Sequence, residues 1–171
     1  MEQASVVRAA IIVALAALLD AVVGPYLTLG FFSPKLALIA VVFAASPLRD
    51  LQAVLLGFFG GILLDALGSD LFGVGALGGL LAATLSARAS AVRRKGTERV
   101  LLAQVVGIAV AGYDFLGFTA RWLAGLGDPA LGEYAVGGAL PDAVVNALLA
   151  FLIGGWLLKI VSVKTHNWEG R

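Results

Sequence analysis

The sequence predicts an all-α integral membrane protein, a bundle of six transmembrane helices. Three observations predict it. Hydrophobic residues fill 60% of the 171 positions and charged residues only 13%, against about 45–50% and about 25% in soluble domains. Apolar stretches near the length of a bilayer span recur along the whole chain. Lysine and arginine gather in alternate connections rather than evenly. The chain is read as one transmembrane domain, residues 1–171, with no separate soluble module.

Taken in order, the first span is expected over about 6–23, an Ala, Val and Leu run that carries Asp20 near its end. It is too long, and lacks a convincing small-residue cleavage site, to be a signal peptide. The second covers about 34–45 and opens on Pro34, which suits a first turn because its missing N–H has no helical partner there. The third covers about 51–67 and the fourth about 72–89, joined by the short link 68–71. The fifth covers about 100–123. The sixth covers about 141–161, with Pro141 at its start and a polar cytoplasmic tail, 162–171, after it. Gly and Pro punctuate most links.

Numbering the sides by alternation puts Arg8, Arg49, Arg88, Arg93, Arg94, Lys95, Arg99, Lys159, Lys164 and Arg171 on one side. Only Lys35 and Arg121 fall on the other. Cytoplasmic loops collect basic residues. Both termini are therefore expected in the cytoplasm, with the basic loop Arg93, Arg94, Lys95 and Arg99 as the main orientation anchor. That loop suits anionic lipid headgroups or a cytoplasmic protein. It lacks the interleaved aromatics of a nucleic-acid site.

This topology gathers Asp20, Lys35, Asp65, Asp114, Arg121 and Asp142 in the outer half of the membrane. A charge at the centre of a spanning helix costs about 2.5–3.5 kcal/mol even on a lenient scale, so such groups pair or line a wet cavity. Two readings stand: a polar ligand site, or structural ion pairs and helix-end carboxylates. Asp142 suits the positive end of its own helix. Asp65 suits the backbone N–H groups of the turn after it, or Lys35.

Small residues form a second pattern. Gly75, Gly79, Ala83, Ala87 and Ala91 recur every four positions on the fourth span, and Gly57 and Gly61 lead to Asp65 on the third. Shorter seams run through Ala10, Ala14, Ala17 and Ala21, and through Asn146, Ala150 and Gly154. Such seams let backbones approach closely in lipid. They serve either internal packing or another protein's spanning helix. The third and fourth spans are expected to form a tight hairpin.

Several chemistries are excluded. There is no cysteine, and the single histidine, His166, lies in the tail, so a His-based triad or multi-His metal site has no residues to build it. No phosphate-binding loop, HExxH or Gly-x-Ser-x-Gly motif occurs. No catalytic, cofactor or metal site is expected.

Residues 31–90 resemble the core of the bacterial rod shape-determining MreD family. The likeness rests on Pro34-Lys35 entering the second span and on Gly57, Gly60, Gly61 and the Leu64-Asp65 pair in the third. It rests also on the Leu71-Phe72-Gly73 step. An Asp within the fifth span, here Asp114, also agrees; Lys35 departs from the neutral residue common there. The resemblance implies a non-enzymatic scaffold of the cell-elongation, peptidoglycan-synthesising machinery in the inner membrane. It implies an MreC-like single-span partner, and through it the MreB filament and the RodA–penicillin-binding-protein synthase. The implied fold is that of the substrate-binding subunits of energy-coupling-factor transporters. That kinship keeps a small-molecule-binding transporter subunit as the alternative.

Overall fold

The structure, a computed structural model, describes residues 2–28, 33–68, 71–92, 96–126 and 130–161. Arg93, Arg94, Lys95 and the predicted tail at 162–171, with His166, lie outside the described residues. The described chain is all helical. Its elements are α1 (Glu2–Leu27), α2 (Leu36–Ala45), α3 (Asp50–Leu67), α4 (Val74–Ala91), α5 (Glu98–Leu123), α6 (Leu131–Tyr134), a π-helical turn (Ala135–Ala139) and α7 (Leu140–Val161).

Five helical stretches are long and apolar enough to cross a membrane: 5–27, 50–67, 74–91, 98–123 and 131–161. The predicted second span is instead a ten-residue apolar helix, α2. At 1.5 Å per residue it measures about 15 Å, half the thickness of the hydrocarbon core. It lies in the middle of the bundle, packed on α1, α3, α4, α5 and α7. Residues Ala37 to Ala45 are all buried. Pro34 and Lys35 precede the helix rather than belonging to it.

α7 begins at Leu140, one residue from the expected Pro141, but α6 and the π-helical turn run into it without a break and lengthen the helical stretch upstream by about three turns. Proline has no N–H to donate, and its ring crowds the carbonyl four residues back, here that of Gly137. The wider turn directly upstream is the usual way a helix accommodates such a defect. Asp142 therefore does not sit at a free helix end.

Burial along α1 is the inverse of that in a soluble helix. Ala9, Val13 and Ala17 are buried, whereas Val7, Ile11, Leu15, Leu18 and Val22 are exposed. Small residues inside and large apolar residues outside are what lipid demands. The inward row is offset by one position from the expected Ala10 and Ala14.

The tightest contact is the α3–α4 hairpin. Added Cβ atoms show how tight it is. One on Gly57 would strike the Gly79 carbonyl, and one on Gly61 the Gly75 carbonyl. One on Gly79 would meet the carbonyl of Gly57. Ala83 is fully buried against Gly57, Ala87 is partly buried at the core, and Ala91 is exposed. The seam on α4 thus mates with the seam on α3 inside the chain. The turn between them ends at Gly73, whose φ of 104° is left-handed and suits only glycine.

The backbone at these contacts cannot yield as a flexible side chain would. Gly61→Ala is therefore expected to destabilise the protein by at least the ~1–3 kcal/mol typical of overpacking. Gly132→Ala, where an added Cβ meets nothing within 4 Å, is expected to be neutral. Unfolding of the two purified variants in mixed micelles checks both.

Candidate functional site

The C-terminal parts of α1, α3 and α5 meet the N-terminal ends of α2, α4 and α7 at one end of the bundle. Asp20, Lys35, Asp65, Asp114 and Asp142 gather there, and each does a definable task.

Asp20 lies seven residues before the end of α1, about 10 Å below it. Its Oδ1 accepts the N–H of Leu36 at 3.2 Å, and its Oδ2 accepts that of Ala37 at 3.2 Å. Those are the first two N–H groups of α2, which have no partner within the helix. The carboxylate also faces the positive end of the helix. Asp20 is thus a cap supplied by a neighbouring helix.

Asp65 does the same for α4. Its Oδ1 accepts the Gly75 N–H at 2.7 Å, and its Oδ2 accepts those of Gly73 at 3.0 Å and Ala76 at 2.9 Å. The approach is possible because Gly75 has no Cβ; one placed there would collide with the Asp65 carboxylate. Of the two partners expected for Asp65, the turn's backbone is the one found. Lys35 is engaged elsewhere.

The Lys35 ammonium lies 3.0 Å from Asp142 Oδ2 and 3.3 Å from Asp114 Oδ1. It also sits 5.3 Å from the centroid of the Tyr113 ring, near enough for a cation–π contact. Its side chain is 16% exposed, and those of Asp114 and Asp142 are 9% and 5% exposed.

The extended segment at Ser33–Lys35 is held by α7. Asp142 Oδ1 accepts the Ser33 N–H at 2.9 Å, and Asn146 Oδ1 accepts the Lys35 N–H at 2.8 Å. The Asn146 amide in turn donates to the Ser33 carbonyl at 3.1 Å, to the Asp142 carbonyl at 3.0 Å and to Asp142 Oδ1 at 3.1 Å. Asn146 is fully buried. Sequence reasoning placed it only in a small-residue seam. Its spacing of four from Asp142, on one helix face, was the signal for a joint role.

The other end of α2 is satisfied as well. The fully buried Ser86 donates to the Val42 carbonyl at 2.6 Å, and Ser46 donates to that of Phe43 at 2.9 Å.

Arg121 lies at the margin of this cluster. It is exposed, near the end of α5, and shares a small cavity with Asp114 and Tyr134. Arg99, expected in the basic loop, instead clamps α5 to α7. Its guanidinium donates to the carbonyls of Phe151 and Leu152 and lies 4.2 Å from the centre of the Phe151 ring. The small Gly154 and Gly155 leave it room.

Beside the ion cluster lies a half-open cleft of about 440 Å³. Asp20, Ser33, Lys35, Asp65 and Tyr113 contribute to its wall. Among the described residues no group of three or more His, Cys, Asp or Glu side chains is arranged to hold a metal ion. Both oxygens of Asp20 and both of Asp65 already accept backbone N–H groups.

Removing these groups has graded costs. Asp65→Asn keeps one acceptor oxygen and is expected to cost about 1–2 kcal/mol, near the upper range for a lost cap. Asp65→Leu leaves three N–H groups unpaired, each at about 1–3 kcal/mol, and is expected to be clearly worse. Lys35→Met removes the cation shared by Asp114 and Asp142 and is expected to cost about 3–5 kcal/mol, the range for breaking a buried pair. Denaturant titration of the reconstituted variants ranks all three.

The family model for rod shape-determining protein MreD matches residues 3–164, nearly the whole chain. No curated protein and no solved structure gives a match. A multi-pass helical membrane bundle with that match over almost its full length belongs to the MreD family of rod shape-determining proteins.

Proposed function

We propose that this chain is a non-enzymatic scaffold of the bacterial cell-elongation machinery, holding the spanning helix of an MreC-like partner in the inner membrane. Both termini face the cytoplasm in this reading, and the polar end of the bundle faces outward. The partner links it indirectly to the MreB filament and the RodA–penicillin-binding-protein synthase. The Arg93–Lys95 loop meets lipid headgroups on the cytoplasmic side.

One observation carries the reading. The carboxylates at the polar end are consumed by the fold: Asp20 and Asp65 cap helices, and Asp142 and Asp114 hold Lys35. A site built to bind and release a solute keeps such groups for the solute.

The Gly75 and Gly79 face is filled by α3, so the partner face lies elsewhere. We assign it to the groove between α1 and α3, lined by Ala10, Ala14, Leu55, Phe59 and Gly60. The small Ala10 and Ala14 let a partner backbone come close.

The transporter reading retains one point in its favour, the cleft beside Lys35 and Asp65. An energy-coupling-factor type subunit would bind its solute there, from the outer side.

Affinity purification from native membranes separates the two. Recovery of an MreC-like protein is expected; recovery of a transporter ATPase without it would sink the scaffold reading. The chain has no cysteine, so single cysteines at Ala10 and Ala14 report on the face. They are expected to cross-link to the partner helix, and a cysteine at Ile108, exposed on α5, is not.

A further inference from the structure

We propose that Lys35, Asp114 and Asp142 form a proton-binding site, with one proton held on Asp114 so that the buried cluster is electrically neutral.

The first ground is charge. Two carboxylates meet one ammonium, at 3.0 and 3.3 Å. Asp114 and Asp142 are only 8% and 4% exposed. An unbalanced charge at such depth is so costly that the group takes up a proton instead. Asp20 and Asp65 differ, because each faces the positive end of a helix.

The second ground is the inventory of acceptors. Asp142 Oδ1 receives the Ser33 N–H and the Asn146 amide, and Asp142 Oδ2 receives Lys35. Asp114 Oδ1 receives Lys35. Asp114 Oδ2 is buried, and among the described residues none hydrogen-bonds to it. It alone among the four oxygens receives no donor from the described residues, so it is where the proton binds. The step adds a proton from water to a carboxylate and changes no other bond.

The charged and titratable groups around Asp114 agree with this. Lys35 and Asp142 face it from the segment before α2 and from α7. Tyr113 and Arg121 share its helix, and the Tyr134 hydroxyl donates to its main-chain carbonyl at 3.3 Å. From α4 the nearest lining residue is Val74, which has no charge. A cavity of about 60 Å³ runs between Asp114, Tyr134 and the exposed Arg121. It has room for water, and it gives the proton a way in from that end of the bundle.

Infrared spectroscopy of the full chain in lipid tests the site. At neutral pH the wild-type protein is expected to show the carbonyl stretch of a protonated carboxylic acid. The signal should shift in D2O and with carboxyl-13C aspartate, neither of which needs a variant. It should vanish in Asp114→Asn and persist in Asp65→Asn. A wild-type spectrum without the signal overturns the proposal. So does a signal that ignores labelled aspartate, survives Asp114→Asn or disappears with Asp65→Asn.

Discussion

A ten-residue helix buried in the centre of a membrane bundle must have its ends satisfied largely by protein, because it is too short to carry both of them to the headgroups. That constraint on α2 organises the polar chemistry of the chain. A spanning helix leaves its unpaired N–H and C=O groups near the headgroups; α2, about half as long as the core is thick, must leave some of them within it. Irregular backbone at that depth is tolerated only where other parts of the protein receive it. Asp20, Asp142 and Asn146 receive the amides at one end, and Ser86 and Ser46 donate to carbonyls at the other. The arithmetic favours it. A carboxylate at depth costs about 2.5–3.5 kcal/mol, and each unpaired amide about 2–7 kcal/mol. One Asp20 that satisfies two amides therefore more than offsets its own insertion.

The α3–α4 hairpin solves the same problem with different parts. Gly57 and Gly61 bring the two backbones together against Gly75 and Gly79, and that closeness puts Asp65 within reach of the first turn of α4. Packing and capping are coupled here. A larger residue at 75 would push out the carboxylate as well as the neighbouring helix.

Much of this was legible in the sequence. The apolar runs gave the all-helical membrane class, and the motif around Leu64-Asp65 gave the family. The hairpin was readable because period-four glycines on two adjacent spans have an obvious mutual use. What was hidden depended on tertiary depth. Hydropathy reads Leu36 to Ala45 as a span, since a fully buried helix and a lipid-facing one are equally apolar. The pairing of Lys35 with Asp114 and Asp142 joins residues far apart in sequence, and nothing local announces it. Asn146 was overlooked because a lone amide in an apolar helix fits a packing seam as readily as a cap. The last helix was legible from Pro141 onward, but its continuation upstream through the π-helical turn leaves no sequence signature.

The arrangement also explains why a rod-shape protein should carry so many buried charges. Lys35 ties the segment before α2 to α5 and α7, Asp20 ties α1 to α2, and Asp65 ties α3 to α4. Every spanning helix is therefore anchored by a polar contact at one end, while the sides remain apolar and face lipid. In a membrane the hydrophobic effect does not hold helices together, so dispersion alone would leave their relative positions loosely specified. Directional bonds at one end fix those positions without using the lateral faces. Those faces remain apolar and exposed along the length of the bundle.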